Sequence, residues 1–344
     1  MDDVKDHTAF TTRLPKVELH LHLEGTLEAD LKLELARRNG IDIGQQTVEE
    51  VRAGYVFDSL ASFLAVYYPA MDVLVTRADF RDLAAAYFRK AASQNVRHAE
   101  VFFDPQVHVA RGVAFEDVVL GYHDAVLDAQ REFGLTAGLI LCIVRDLPLE
   151  SAEAAIEAAM GFREQIVGIG LDSDERGNPP AKFAHLFAKA REAGFKLTAH
   201  CDIDQENTTE HLRQVIEDIG VDRIDHGTNV VEDPRLLALV TERGIGLTTC
   251  PISNSFVTAD SKAHVIADLL RRGVKVTVNS DDPAYMGGYV TENLIALTRA
   301  AELTFDELLQ LQRNAIEVSW ASDDVREGFL AELDAYEALA APDL

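Results

Sequence analysis

The chain has 344 residues, 47% of them hydrophobic, and a formal charge of −26 at pH 7. That length allows a sizeable core, and no apolar run approaches the roughly 18 residues of a membrane-spanning helix, so no span is expected. The acidic balance and the scattered basic residues argue against a nucleic-acid backbone or an anionic membrane surface as partner.

The opening MDDVKDHTAFTTRLPK lacks a basic segment followed by an apolar one, so no signal peptide is expected. The first apolar run is VELHLHL (17–23). It is followed by VRHAEVFF (96–103), TAGLILCIV (136–144), IVGIGLD (166–172), FKLTAHC (195–201), VDRIDHG (221–227), GIGLTTCP (244–251) and VKVTVNSDD (274–282). Helical patterns lie between them. In 59–74, Leu60, Phe63, Leu64 and Tyr67 share a face; in LRQVIEDIGV, Leu212, Val215, Ile216 and Ile219 do. Residues 322–344 read as an acidic amphipathic helix suited to packing or to a homo-oligomer contact. Strands alternating with helices predict an α/β fold with a parallel sheet, and near-continuous apolar strands predict burial on both faces. A closed eight-stranded TIM-type barrel fits, with a doubly wound open sheet as the alternative. Residues 24–95 are too long for one connection and predict extra helices after the first strand, covering one end. No linker interrupts the pattern, so residues 1–344 are expected to form one domain.

In such a barrel the chemistry sits at the C-terminal ends of the strands. His20 and His22 share a face of the first run. The fifth run ends in His200, the sixth in Asp225-His226, and the eighth in Asp281-Asp282. Singly, each is ordinary: a lone buried histidine is usually a hydrogen-bonded core residue, and Asp-Asp-Pro is usually a turn. Four strands delivering His or Asp at the same end point instead to a metal site. Three histidines and a carboxylate suit zinc, which lowers the pKa of a water it binds to about 7. His226 is then available as a base or orienter, and Asp282 as a hydrogen-bond acceptor for substrate. The three cysteines, Cys142, Cys201 and Cys250, form no CxxC pair and suit a reduced, cytoplasmic compartment.

The motifs PKVELHLHLEGTL (15–27), HAEVFFDPQVH (98–108), GLDSDERGNPPAKF (170–183), DRIDHGTNV (222–230), CPISN (250–254) and VNSDDPAYMGGYV (278–290) span nearly the whole chain. Together they resemble the adenosine and adenine deaminases of the amidohydrolase superfamily. The resemblance implies a distorted (β/α)8 barrel with one Zn2+ held by His20, His22, His200 and Asp281. It also implies that His226 orients or deprotonates the attacking water and that Asp282 holds a purine ring nitrogen. The implied reaction is hydrolytic removal of the amine at purine C6. Glu24 stands where nucleoside deaminases tend to carry Asp, and DERGNPP, FFDPQ and AYMGGYV resemble the adenine branch. The longer Glu24 fills space that a ribose would need, so adenine, giving hypoxanthine and ammonia, is favoured. Adenosine, a 6-substituted purine, or an inactive purine-binding barrel are the alternatives.

One segment departs from the family pattern. Where Ala-Gly-Glu usually follows the histidine, this chain has Cys201, Asp202 and Ile203. Isoleucine cannot protonate ring N1, so the role is expected to pass to Asp204, with Asp202 as the second candidate. The bland reading is that both solvate a loop. His98-Ala99-Glu100 matches half of a cytidine-type zinc deaminase motif, but the P-C-x-x-C half is absent. His98 and Glu100 are therefore expected on the second barrel strand.

Overall fold

A computed structural model gives the fold and describes residues 2–201, 206–258 and 260–340. Eight strands lie parallel, and their spatial order is the chain order. They are β1 (Lys16–Glu18), β2 (Val96–Phe103), β3 (Thr136–Val144), β4 (Ile166–Asp172), β5 (Lys196–Cys201), β6 (Arg223–His226), β7 (Gly246–Thr249) and β8 (Val276–Val278). Aliphatic and aromatic side chains fill them, and nearly all are buried, as both faces are covered. The sheet closes on itself where Leu21 and Asp281 form a parallel bridge. Main-chain bonds from Asp281 N to His20 O (3.1 Å) and from His22 N to Asp281 O (3.0 Å) secure it. The architecture is a (β/α)8 barrel, not an open sheet.

The second to fourth apolar runs coincide with β2, β3 and β4. The first and last do not persist as strands: β1 and β8 have 3 residues each. Side chains take over the ladder there. Leu19 N donates to Asn279 Oδ1 at 2.8 Å, and Ser280 N donates to Glu18 Oε1 at 3.0 Å. This irregular seam is the distortion in the barrel, and it carries His20, His22 and Asp281.

Helices Ala29–Asn39, Val48–Ala53, Leu60–Ala70 and Arg77–Ser93 fill the long stretch before β2. Ser59 and Ser62 form a capping box that starts Leu60–Ala70. The stretch around 212–219 forms a helix, Thr208–Arg213, that continues as a wider π turn over Gln214–Ile219; its four apolar residues are buried. The acidic tail forms the helix Asp323–Ala340, tied to Arg313 through Asp334 (2.6 Å) and Glu337 (2.5 Å). Among the described residues, no helix is long and apolar enough to cross a membrane.

The N-terminal end of the barrel is plugged by Trp320. Its ring lies so close to Gly168 that a Cβ there would come within 2.4 Å. Arg223 stacks on the same ring, 3.8 Å from its centroid, and pairs with Glu100. Glu100 also accepts from His98 Nε2 at 3.1 Å and from Trp320 N. His98 and Glu100 thus lie on β2, as expected, in a buried network remote from the strand C-termini.

Candidate functional site

Every strand-end residue singled out in the described sequence converges at one end of the barrel. β1 leads into His20 and His22, β5 ends near His200, β6 ends in Asp225 and His226, and β8 leads into Asp281 and Asp282. His226 (φ 58°), Asp281 (φ 64°) and Ser173 (φ 69°) adopt left-handed backbone. Non-glycine residues pay strain in that region, and such strain clusters at functional sites. At His226 it breaks the strand alternation, so two consecutive residues both serve the site.

His20 Nε2 and His22 Nε2 lie 3.3 and 3.5 Å from Asp281 Oδ1, and His226 Nε2 lies 3.8 Å from Asp281 Oδ2. His22 Nε2 faces His200 Nε2 at 3.2 Å. The His20 Nδ1 atom is 3.1 Å from the Thr248 carbonyl, which can only accept. The neutral ring therefore carries its proton on Nδ1, and among the described residues Nε2 has no hydrogen-bond partner. His200 Nδ1 faces Asp225 Oδ2 at 3.3 Å, which turns its Nε2 lone pair inward as well. Lone pairs and a carboxylate packed this closely repel one another unless a cation lies among them. The residues fit a divalent ion that accepts imidazole nitrogen and carboxylate oxygen.

Burial, reinforced by neighbouring imidazoles, holds His22 down to about 3. Burial also brings His200 and His226 down to about 4, so these rings are neutral at pH 7. Burial alone would raise Asp281 and lower His20, but the two stand 3.3 Å apart and each favours the other's charged form, so the carboxyl is held well below its usual range and the ring is raised. Asp282 goes the opposite way: burial, then the adjacent Asp281 charge, pushes it well up. Among the described residues its Oδ1 has no hydrogen-bond partner. Gly25 permits this packing, since a Cβ there would fall 2.1 Å from that oxygen. Cys250 lies near His20 and Asp281, but burial raises its thiol pKa well above normal and keeps it protonated.

A cavity opens beside the cluster, lined on one side by His22, His200, His226, Asp281 and Asp282. Leu60, Phe63, Leu64 and Tyr67 form its roof, so the apolar helix face read from the sequence faces the cavity. Asp104, Asp172 and Ser173 also line it, with Asp172 Oδ2 3.7 Å from His22 Nδ1.

Several of these residues carry no role in the sequence reading. Asp225 is one: fully buried, it accepts from Thr198 Oγ1 (2.7 Å) and Thr248 Oγ1 (2.8 Å) and backs His200. Asp104 and Asp172 are the others. Their sequence signal is an aspartate just after β2 and another ending β4, matching the strand-end pattern that marked the histidines.

Glu24, expected against the substrate, is fully buried behind the wall and is not among the described residues lining the cavity. Its Oε1 accepts from His108 Nε2 (2.9 Å), Tyr122 OH (3.0 Å) and Asp104 N (3.3 Å). Asp202 and Asp204 lie outside the described residues. Arg145, fully buried, donates to the carbonyls of Leu171, Asp172 and His200 and pairs with Glu175 at 3.4 Å, bracing two site strands.

The adenosine deaminase family profile matches residues 15–336. An uncharacterized deaminase of Schizosaccharomyces pombe is 49% identical over 332 residues, covering 96% of this chain and 98% of its own. An adenine deaminase of Geotalea uraniireducens is 46% identical over 326 residues, covering 94% of this chain and 91% of its own. The crystal structure of an adenine deaminase from Arthrobacter aurescens superposes with TM-score 0.90 at 40% identity, over 94% of this chain and 99% of that one. That of an amidohydrolase from Burkholderia ambifaria with bound Zn superposes with TM-score 0.87 at 32% identity, over 98% and 95%. With the barrel and the converging strand-end donors already in place, a match over 15–336 and relatives this similar along nearly the full length make the chain a member of the adenosine deaminase family.

Proposed function

We propose that the protein hydrolyses adenine to hypoxanthine and ammonia, using one zinc ion held by His20, His22, His200 and Asp281. The observation that carries this is the convergence of imidazole lone pairs on Asp281 at the edge of a buried cavity. The choice of adenine is supported by relatives named adenine deaminase, such as that of Geotalea uraniireducens. The Zn-bound Burkholderia ambifaria structure supports the choice of ion. Bound there, the ion would act as a Lewis acid and lower the pKa of water towards 7.

The chain's own residues do the rest. His226, neutral at pH 7, takes a proton from the water whose oxygen adds to C6. It then passes that proton to the departing amine as the C6–N bond breaks. Asp282, whose carboxyl burial and the Asp281 charge keep protonated, donates its O–H to ring N7. The acid that protonates N1 and recovers a proton from the new C6 hydroxyl is assigned to Asp204, with Asp202 next. The whole chain acts as one domain in the cytoplasm.

An ultraviolet assay tests this. Zinc-loaded protein should convert adenine to hypoxanthine, and Asp281→Ala should abolish the conversion. Asp204→Asn should keep zinc and lose about 10²–10⁴ of the rate. A zinc-loaded wild type inert towards adenine and a panel of 6-substituted purines would overturn the reading.

A further inference from the structure

Beside His22, on its Nδ1 side, Asp104 and Asp172 stand side by side, 1% and 3% exposed, with Asp172 Oδ2 3.7 Å from His22 Nδ1. Their carboxyls hydrogen-bond each other, Asp172 also meets Cys142, and among the described residues the Oδ1 atom of each has no hydrogen-bond partner. Buried acceptors normally find donors, so one unpartnered oxygen on each acid in a cavity wall marks a place where a ligand supplies an N–H or O–H. Both are held rigidly. Asp104 N is anchored to Glu24, itself clamped by His108 and Tyr122. Asp172 is fixed through its carbonyl, which accepts from Arg145 Nε at 2.8 Å.

Purine geometry says which atoms face this wall. With C6 on the Nε2 side of His22, where the other imidazoles and Asp281 converge, and N7 at Asp282, the N3–N9 edge lies towards the Nδ1 side of His22, where these two carboxyls stand. In a free base that edge carries the only ring N–H, at N9; in a nucleoside N9 carries a sugar and no hydrogen. The roof also closes on this side: Tyr68 OH donates to Ser173 Oγ at 2.9 Å, bridging the helix Leu60–Ala70 to the residue after β4.

We infer that Asp104 and Asp172 form a subsite for the N3–N9 edge, with Asp104 accepting N9–H, and that this subsite selects free purine bases over nucleosides. Glu24 is then a positioning residue, acting on specificity through the Asp104 main chain and not by filling ribose space. The inference rests on the adenine reading above. It extends that reading to residues outside the metal cluster and its chemistry.

The test compares adenine with 9-methyladenine, which keeps every ring atom but lacks the hydrogen. A site that hydrogen-bonds a substrate N–H rejects the analogue lacking it by about 10⁴–10⁵-fold in kcat/KM. Zinc-loaded wild type should show a ratio of that order. Asp104→Ala should lower kcat/KM for adenine while leaving that for 9-methyladenine level or higher, narrowing the ratio to below about 10². Glu24→Gln should narrow it less. Calorimetry of hypoxanthine against 9-methylhypoxanthine binding to wild type reads the same contact without turnover and without a variant that must fold. A wild type that handles the methylated pair within about tenfold of the parent pair overturns the subsite. So does an Asp104→Ala that loses both substrates equally. A wild type that turns over no purine removes the deaminase reading, and the calorimetric ratio still judges the subsite.

Discussion

Asp225 shows how one residue can control a site it does not line. It sits between Thr198, Thr248 and the Nδ1 face of His200, with His20 Nδ1 4.0 Å away. Burial alone would raise its pKa, but His200, and then His20 and Arg223, hold it well below the carboxylate range, so it stays ionised. A buried carboxylate behind a histidine fixes the tautomer and raises the basicity of the nitrogen that faces a metal. Asp225→Asn should therefore weaken zinc binding by about 10–100-fold, read by competition with a chromophoric chelator. Unchanged affinity would reduce Asp225 to a packing role. In sequence, Asp225 and His226 are neighbours that strand alternation would place on opposite faces. The left-handed backbone at His226 is what lets both serve one site, and that conformation has no local sequence marker such as glycine.

At the level of elements, the seam between β8 and β1 decides the site. Asn279 replaces a ladder bond: its Oδ1 accepts from Leu19 N at 2.8 Å, and its Nδ2 donates to Thr277 Oγ1 at 3.0 Å. Removing it leaves Leu19 N buried without an acceptor. Asn279→Ala should destabilise the fold by about 1–3 kcal/mol in urea unfolding, and a value near zero would mean that water or backbone shift heals the seam. The interior strands were legible because long apolar runs of β-branched residues have few other fates. The seam strands were less so. Their runs looked equally apolar, but side chains of Glu18 and Asn279 compete for the main-chain groups that would have extended the ladder.

At the scale of the whole molecule, the network of Glu100, Arg223, His98 and Trp320 joins β2 and β6 to the chain beyond the last barrel strand. Burial alone would raise Glu100, but Arg223 and His98 outweigh it and bring it down to about 2. A carboxyl whose pKa is lower in the folded state favours folding above its unfolded value, about 4.3. That contribution is lost as pH falls from there towards 2. Urea unfolding should show wild type losing stability across this window relative to Glu100→Gln. At pH 7, Glu100→Ala should cost about 3–5 kcal/mol, because Arg223 is left buried and unpaired. Equal pH profiles for wild type and Glu100→Gln would show that the pair carries no such linkage.

By itself the sequence determined the barrel, the four strand ends that bear His20, His22, His200, His226, Asp281 and Asp282, and the expectation of a metal among them. Apolar periodicity and the polar residues that terminate it are local properties, so they can be read without coordinates. Only the tertiary structure decided what stands behind and beside that cluster: Asp225 orienting His200, Asp104 and Asp172 packed on the Nδ1 side of His22, and Glu24 withdrawn behind Asp104. Those relations join residues on different strands. They depend on how the barrel closes and on three left-handed residues at its mouth, which no spacing along the chain records.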